Sequence, residues 1–207
     1  MKRPRQRGWL ARVHRQWIHP RRVTKLASAF LPLIDQAGTR RLLDVGCGDG
    51  LLASTIGQAL RSLHVFGCEI HPPASLCDEA TAIRIPVVLF DGRSLPFEDN
   101  CFDAALLCDV LHHCEDKGAS ILSEAARVSR VVFVKDHFEP NRLGRYLLRW
   151  MDWVGNHDRD IFMPRTYFTP GEFQMIASEA GLQITASLSV DLPPHSSFHF
   201  VAQLAKP

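Results

Sequence analysis

The sequence predicts an α/β fold: a doubly wound, mostly parallel sheet of seven strands, with a C-terminal β-hairpin and a helical lid. Three observations lead there. Strand-like apolar runs alternate with helix-period segments five times between Arg41 and Lys135, with connections long enough for right-handed crossovers. A glycine-rich turn, Gly46-Cys47-Gly48-Asp49-Gly50, comes after the first of those runs, at the place where a doubly wound sheet takes its ligand. Two late apolar runs flank the Pro193-Pro194 break and fit a closing hairpin.

Taken in order, Trp9, Leu10, Val13 and Trp17 make a short helical stripe among arginines. After Pro20 a second helix runs through Val23, Leu26, Ala27, Phe30 and Leu31 and stops near Gly38. Residues 41–45 read as a buried strand, succeeded beyond the glycine turn by a helix through Leu52, Ile56 and Leu60. Residues 63–70 are a second strand ending in an acid, Glu69, and a helix is expected from about 73 to 80. Residues 87–90, 104–108 and 131–135 supply strands three to five, with Asp116 placed to cap a helix reaching Val128. Leu143, Tyr146, Leu147, Trp150 and Val154 then recur at helical spacing. Thr169-Pro170-Gly171-Glu172 opens another helix, with a Thr cap, Pro at the first position and Glu at the third. That helix is expected to end at Gly181, before strands over 183–190 and 198–204. The expected organisation is a basic arm and helix over 1–38 and one domain over 39–207, with a lid at about 138–170.

The chain has 207 residues, 46% of them hydrophobic and 22% charged, which excludes wholesale disorder and leaves material for a sizeable core. No apolar run approaches the length of a membrane-spanning helix. The net charge of +2 hides a polarity: nine basic residues and no acid precede Asp35, leaving fifteen basic against twenty-two acidic residues in the rest. Such an arm suits an anionic membrane surface or RNA, an organelle transit peptide, or a solvated tail. The six cysteines have no CxxC pair and no zinc-like spacing, and nothing resembles a secretory signal. The expected location is a reduced, cytoplasmic one, peripheral to a membrane if the arm makes that contact.

Glycines after strand one let backbone N–H groups approach a ligand without obstruction by Cβ. A dinucleotide fingerprint would need glycine at position 51, where Leu51 stands, so the pattern is GxGxG. Glu69 ends the next strand, where a carboxylate can accept from both ribose hydroxyls. Asp91 ends the third strand, placed to accept from an exocyclic adenine amine, with Gly92 leaving room for the ring.

Leu42-Leu43-Asp44-Val45-Gly46-Cys47-Gly48-Asp49-Gly50 resembles motif I of the class I S-adenosylmethionine-dependent methyltransferases. The segment from Asp91 through Leu95-Pro96-Phe97 to Asp99-Asn100-Cys101-Phe102-Asp103 is similar to a stretch of their small-molecule and quinone-type members, the methyltransferase type 11 group. Asp109-Val110-Leu111-His112-His113 resembles the stretch just after strand four in that group. The resemblance covers roughly residues 40–135. It implies S-adenosyl-L-methionine as cofactor, with Asp44 near the methionine amine and Gly46, Gly48 and Gly50 beneath the methionine and ribose. It further implies Glu69 on the ribose, Ile70 and Gly92 beside the adenine, Asp91 on its amine, and Cys108 and Asp109 beside the sulfonium. One departure stands out: the family's Lys-Pro-Gly-Gly turn before strand five is missing, and Val128-Ser129-Arg130 runs almost directly into Val131.

A sulfonium methyl is already activated, so an enzyme must hold the acceptor in line and, for hydroxyl or acidic carbon acceptors, remove a proton. His113 after strand four and His137 after strand five are the candidate bases, with Asp136 holding the His137 ring; a structural role for either histidine stays open. His112 and His113 near Asp109 hint at a metal, but no third ligand stands at clear spacing. Residues 150–168, rich in Trp, Met and Phe, either wall an apolar acceptor pocket or form core under a long loop. The expected activity is methyl transfer to oxygen or carbon of a small aromatic, quinone-like or lipid-like acceptor. The alternatives are an RNA or protein methyltransferase and a non-catalytic nucleoside-binding subunit. The Asn-Pro-Pro-Tyr type of tetrapeptide used on amino groups of nucleic acid is absent.

Overall fold

Parallel strands need crossovers, and here helices follow the first and fourth strands and cover the two faces of the sheet, while the third strand reaches the fourth through an irregular loop over 90–101. The computed structural model describes residues 17–72, 85–114, 118–139, 141–156, 167–192 and 198–207. Within them run α1 (His19–Gln36), β1 (Arg41–Val45), α2 (Leu51–Ala59), β2 (His64–Glu69), β3 (Val87–Leu89) and β4 (Phe102–Cys108). A 3₁₀ turn (Leu111–His113), α3 (Ala119–Val128), β5 (Ser129–His137), α4 (Arg142–Asn156), α5 (Pro170–Glu179), β6 (Gln183–Ser189) and β7 (His199–Ala205) complete the chain. The sheet has seven strands in the order β3-β2-β1-β4-β5-β7-β6. Strands β1 to β5 pair in parallel, while β7 is antiparallel to both β5 and β6. The expected hairpin is therefore present, with β7 inserted between β5 and the edge strand β6.

Both faces of the central strands are buried, which is why they read as unbroken apolar runs. In β4, Ala104 and Leu106 face one core while Ala105 and Leu107 face the other. The first core is completed by α1 and α2 through Val23, Leu26, Phe30, Ile34, Leu52 and Ile56. The second is completed by α3 and α5 through Ile121, Leu122, Ala125, Phe173 and Ile176. Burying a side chain such as Phe30 stabilises the fold by about 1.5–3 kcal/mol, and it is fully buried against Phe133 of β5. That contact makes α1 part of the domain core rather than an appendage. The helix even continues past Pro32, which has no N–H to donate, with Phe30 and Ile34 buried on either side of it.

Several expected boundaries shift. Asp116 and the helix expected at 73–80 lie outside the described residues. Helix α3 instead begins at Gly118, whose φ of +80° and carbonyl bond to Leu122 N form the cap. No side chain fits there, because a Cβ would stand 2.6 Å from Leu111 Cδ2. The short connection before strand five is real: α3 ends at Val128 and β5 starts at Ser129, whose hydroxyl donates back to Ala125 O at 2.7 Å. The Leu95-Pro96-Phe97 stretch is held by Arg127, which donates to the carbonyls of Leu95 and Phe97 and to Asp99 and Glu124.

At α5, the Thr169 hydroxyl accepts from Glu172 N at 3.2 Å and the Glu172 carboxylate accepts from Thr169 N at 2.8 Å. This is the reciprocal cap that the sequence predicts. Thr169→Ala is expected to lower stability by about 1 kcal/mol, measured by urea unfolding; an unchanged midpoint would show that Pro170 and packing alone set the helix start.

Candidate active site

The glycine turn is pinned between two strand ends. Gly46 N and Cys47 N both donate to Cys68 O, at 2.8 and 3.2 Å, which ties the turn to β2. Gly46 adopts φ +71°, and a Cβ there would stand 2.8 Å from Val110 Cγ2, so the turn also abuts the segment after β4. Gly48 N donates to Glu69 Oε2 at 2.8 Å, and Ile70 N donates to Oε1 of the same carboxylate at 2.8 Å. Gly50 caps the start of α2, and Asp49 receives His19 Nε2 from α1 at 2.9 Å. Glu69 is thereby pre-oriented beside the turn, with lone pairs remaining for further donors.

Asp44 sits under this turn and is almost fully buried. Burial, then the nearby Glu69 and Asp49 carboxylates, push its pKa up to about 8. Asp91 lies at the surface and accepts from Ser94 N and Arg93 N, each at 2.8 Å; those amides hold its pKa below the usual value. Ile70 is exposed at the end of β2, next to Gly92. The sequence-predicted cofactor residues therefore do meet along one edge of the sheet.

Beyond β4 and β5 lies a buried polar cluster. Lys135 is fully buried and its ammonium is bonded to Asp109. Arg22 from α1 reaches the other oxygen of Asp109 at 2.5 Å. Burial would raise the Asp109 carboxyl, but Arg22 and Lys135 hold it well below its usual range. Burial lowers Lys135, and Arg22 adds repulsion, against the opposing pull of Asp109. Asp109 itself has φ +59°, uncommon for a residue with a side chain. Cys108 is half-buried beside it, its thiol pushed well up by burial and by the Asp109 charge.

The ring that Asp136 grips is His112, not His137. His112 Nδ1 lies 2.5 Å from Asp136 Oδ1, and His112 N donates to Oδ2 at 3.3 Å. His137 offers Asp136 its backbone N–H at 2.8 Å, while its Nδ1 stands 3.5 Å away. Burial opposes ionisation of Asp136, yet His112 and the bonds from both histidines hold its pKa below the usual value. An ionised carboxylate only accepts, so the His112 proton is on Nδ1 and Nε2 is the basic nitrogen. His137 is buried and its pKa is driven well down, first by burial and then by Lys135, whose Nζ is 3.3 Å from Nε2. His113 is half-buried, with its ring centroid 4.0 Å from that of His112. Tyr167 closes the group, 5.5 Å from the His112 ring and 5.9 Å from that of His137.

Asp109, His112, Asp136 and His137 bring one ligand atom each within 4.8 Å of one another, a donor set that sequence spacing did not reveal. Lys135 and Arg22 already take the two oxygens of Asp109, and His112 is bonded to Asp136. As arranged, Asp109, His112 and Asp136 are engaged in a charge-balanced network with Lys135 and Arg22.

The expected lid divides. Tyr167 and Phe168 are buried, whereas Trp150 and Trp153 on α4 are exposed, so those two are not core. His157, Phe162, Met163 and Pro164 lie outside the described residues. Among the described residues the cysteines, Cys47, Cys68, Cys101, Cys108 and Cys114, form no disulfide.

Residues 43–131 match the family model described as a methyltransferase domain. The chain is 28% identical over 190 residues to an O-methyltransferase, rstn1, of Aspergillus nomiae, covering 80% of this chain and 84% of that protein. It is 34% identical over 89 residues to a probable tRNA methyltransferase 9B of Bos taurus, covering 42% of this chain but only 18% of that protein. The magnesium protoporphyrin IX methyltransferase of Synechocystis, solved with S-adenosylhomocysteine, superposes with a TM-score of 0.64 at 18% identity, covering 91% of this chain and 83% of that one. The mitomycin 7-O-methyltransferase MmcR gives 0.63 at 17% identity, covering 96% and 60%. Residues 43–131 are thus a methyltransferase domain, and with the strand order and the glycine turn already described, the superpositions show that the chain has the Rossmann-like fold of S-adenosylmethionine-dependent methyltransferases.

Proposed function

We propose that the chain transfers the methyl group of S-adenosylmethionine to a hydroxyl oxygen or acidic carbon of a small apolar acceptor, with His112 as the base and Asp136 as its positioning residue. The observation that carries this reading is the Asp136–His112 pair at 2.5 Å on the strand ends beside the glycine turn. The turn and the pair are neighbours, since Val110 presses on Gly46 only two residues before His112. When bound, the cofactor supplies an electrophilic methyl. The chain has to orient the acceptor and take up its proton, which His112 Nε2 does while Asp136 stabilises the resulting imidazolium. Glu69 holds the ribose hydroxyls, Asp91 and Gly92 receive the adenine beside Ile70, and Asp44 meets the methionine amine. The fungal O-methyltransferase relative supports an oxygen acceptor, and the bovine relative keeps RNA as the competing class. Labelled cofactor incubated with fractionated cell extract separates them: label in small molecules supports the proposal and label in RNA overturns the acceptor class.

His112→Gln is expected to lower turnover by about 10²–10⁴-fold, with S-adenosylhomocysteine affinity nearly unchanged as the check on folding. Loss of turnover in His137→Gln, with His112→Gln active, would return the base to β5. Glu69→Ala is expected to weaken S-adenosylhomocysteine binding by about 1.5–3 kcal/mol in calorimetry; unchanged affinity would remove the ribose assignment.

Asp44 adds a pH test. Its folded pKa of about 8 stands above the ordinary 3.8, so the folded chain holds a proton that the unfolded chain releases. The stability from that proton is full below about pH 4 and is lost as pH rises through about 8. Asp44→Asn stays neutral throughout. Its melting temperature relative to the parent chain is therefore expected to rise between about pH 5 and about pH 9, and a flat difference would contradict a buried neutral Asp44.

A further inference from the structure

Helix α4 carries its apolar stripe on the outside. Leu143, Tyr146, Leu147, Trp150 and Trp153 are all exposed, Leu143 at 78% and Tyr146 at 68%. At helical spacing they occupy an arc of about 120°. The opposite side turns inward through Gly144 and Leu148, both buried. Arg142, Arg145 and Arg149 fall together along one border of the stripe, against a single acid in the whole helix, Asp152. Arg145 is tied to Glu139 at 2.5 Å, which anchors the helix just beyond the carboxyl end of β5. Arg142 and Arg149 are exposed.

A second patch faces solvent at the same edge of the sheet. Trp17 and Ile18 are exposed at the start of α1, with the Arg21 guanidinium 5.5 Å from the Trp17 ring centroid. Arg22 fixes this end of α1 to Asp109, immediately after β4. Six further basic residues and no acid precede Trp17 in the sequence. Trp and Tyr on an outward stripe bordered by arginines make the composition of an interfacial helix. At 15 residues α4 is too short to cross a bilayer, and no helix among the described residues is long and apolar enough to do so.

We propose that the protein docks on an anionic lipid bilayer through α4. The stripe enters the acyl boundary, Arg142 and Arg149 meet lipid phosphates, and the Trp17 end of α1 adds a second contact. The charge complementarity selects a bilayer: a partner helix would take the apolar stripe alone, whereas here arginines line its border and Arg21 accompanies the second patch. Docking places the carboxyl edge of the sheet toward the membrane. Resting on the proposed methyl transfer, the acceptor is then a molecule dissolved in that bilayer, whose polar end reaches the His112–Asp136 pair.

Flotation of the full chain with phosphatidylcholine vesicles, with and without about 30% phosphatidylglycerol, tests the docking face. The chain is expected to float with the anionic vesicles and far less with the neutral ones. Leu143→Glu/Trp150→Glu is expected to lower that binding by about tenfold or more, with an unchanged melting temperature because both side chains are exposed. Flotation of the double variant equal to that of the parent chain would overturn the proposal, as would absence of binding by the parent chain. A dimer in light scattering, or an RNA gel shift, that the double variant loses while vesicles bind neither protein would also overturn it by giving the stripe another occupant. S-adenosylhomocysteine calorimetry on the parent chain keeps the two readings apart. No binding there refutes methyl transfer and leaves docking standing, and failed flotation with intact binding does the reverse.

Discussion

Lys135 takes its ammonium into the fold with no exposed surface, and the ion pair with Asp109 is what makes that tolerable. Removing one partner of a buried pair costs about 3–5 kcal/mol, because the other charge is left uncompensated. Much of the site is a consequence of this requirement. Asp109 must turn its carboxylate toward β5, and it does so from a left-handed backbone, its N–H donating to Lys135 O at 2.8 Å. The same carboxylate then draws in Arg22, so α1 is fastened to the carboxyl edge of the sheet rather than only to its face. Two cations and two carboxylates thus balance around the histidines, and burial with the nearby Lys135 ammonium favours the neutral form of His137.

The sheet and the meeting of the glycine turn with Glu69 were legible in the sequence because they depend on local signals. Apolar runs, a glycine turn and acids at strand ends each announce themselves within a few residues. The pairing of His112 with Asp136 depends on register. Asp136 and His137 are neighbours in the chain and suggest a pair, but successive residues in a strand point to opposite faces. That alternation sends His137 toward Lys135, two residues earlier on the same face, and leaves Asp136 to meet His112 across the β4–β5 boundary. The strand period was the signal available in the sequence; without the pairing of Cys108 with Lys135 it named no partner.

Some of the most family-like residues do structural work. Leu95 is buried, Phe97 packs edge-on against Phe102 with centroids 5.0 Å apart, and Asp103 accepts from Arg40 N and Arg41 N. Arg127 holds the backbone of that loop from α3. The segment fixes β4 against β1 and so sets the level at which Asp109 leaves the sheet. Amphipathic spacing leaves another question open. The 143–154 pattern does form a helix, but periodicity says only that one face is apolar. It does not say whether that face turns inward, and on α4 it turns out.

Val110 fills the place a Cβ would take on Gly46, so the glycine turn and the turn that carries His112 pack directly on each other. The proposed acceptor site around His112 is therefore constrained from behind: a larger residue at 110 would press on the backbone at Gly46. Directed changes of specificity have freer ground at Tyr167, which borders both histidine rings from the far side and hangs on a separate strand-end bond to Glu139.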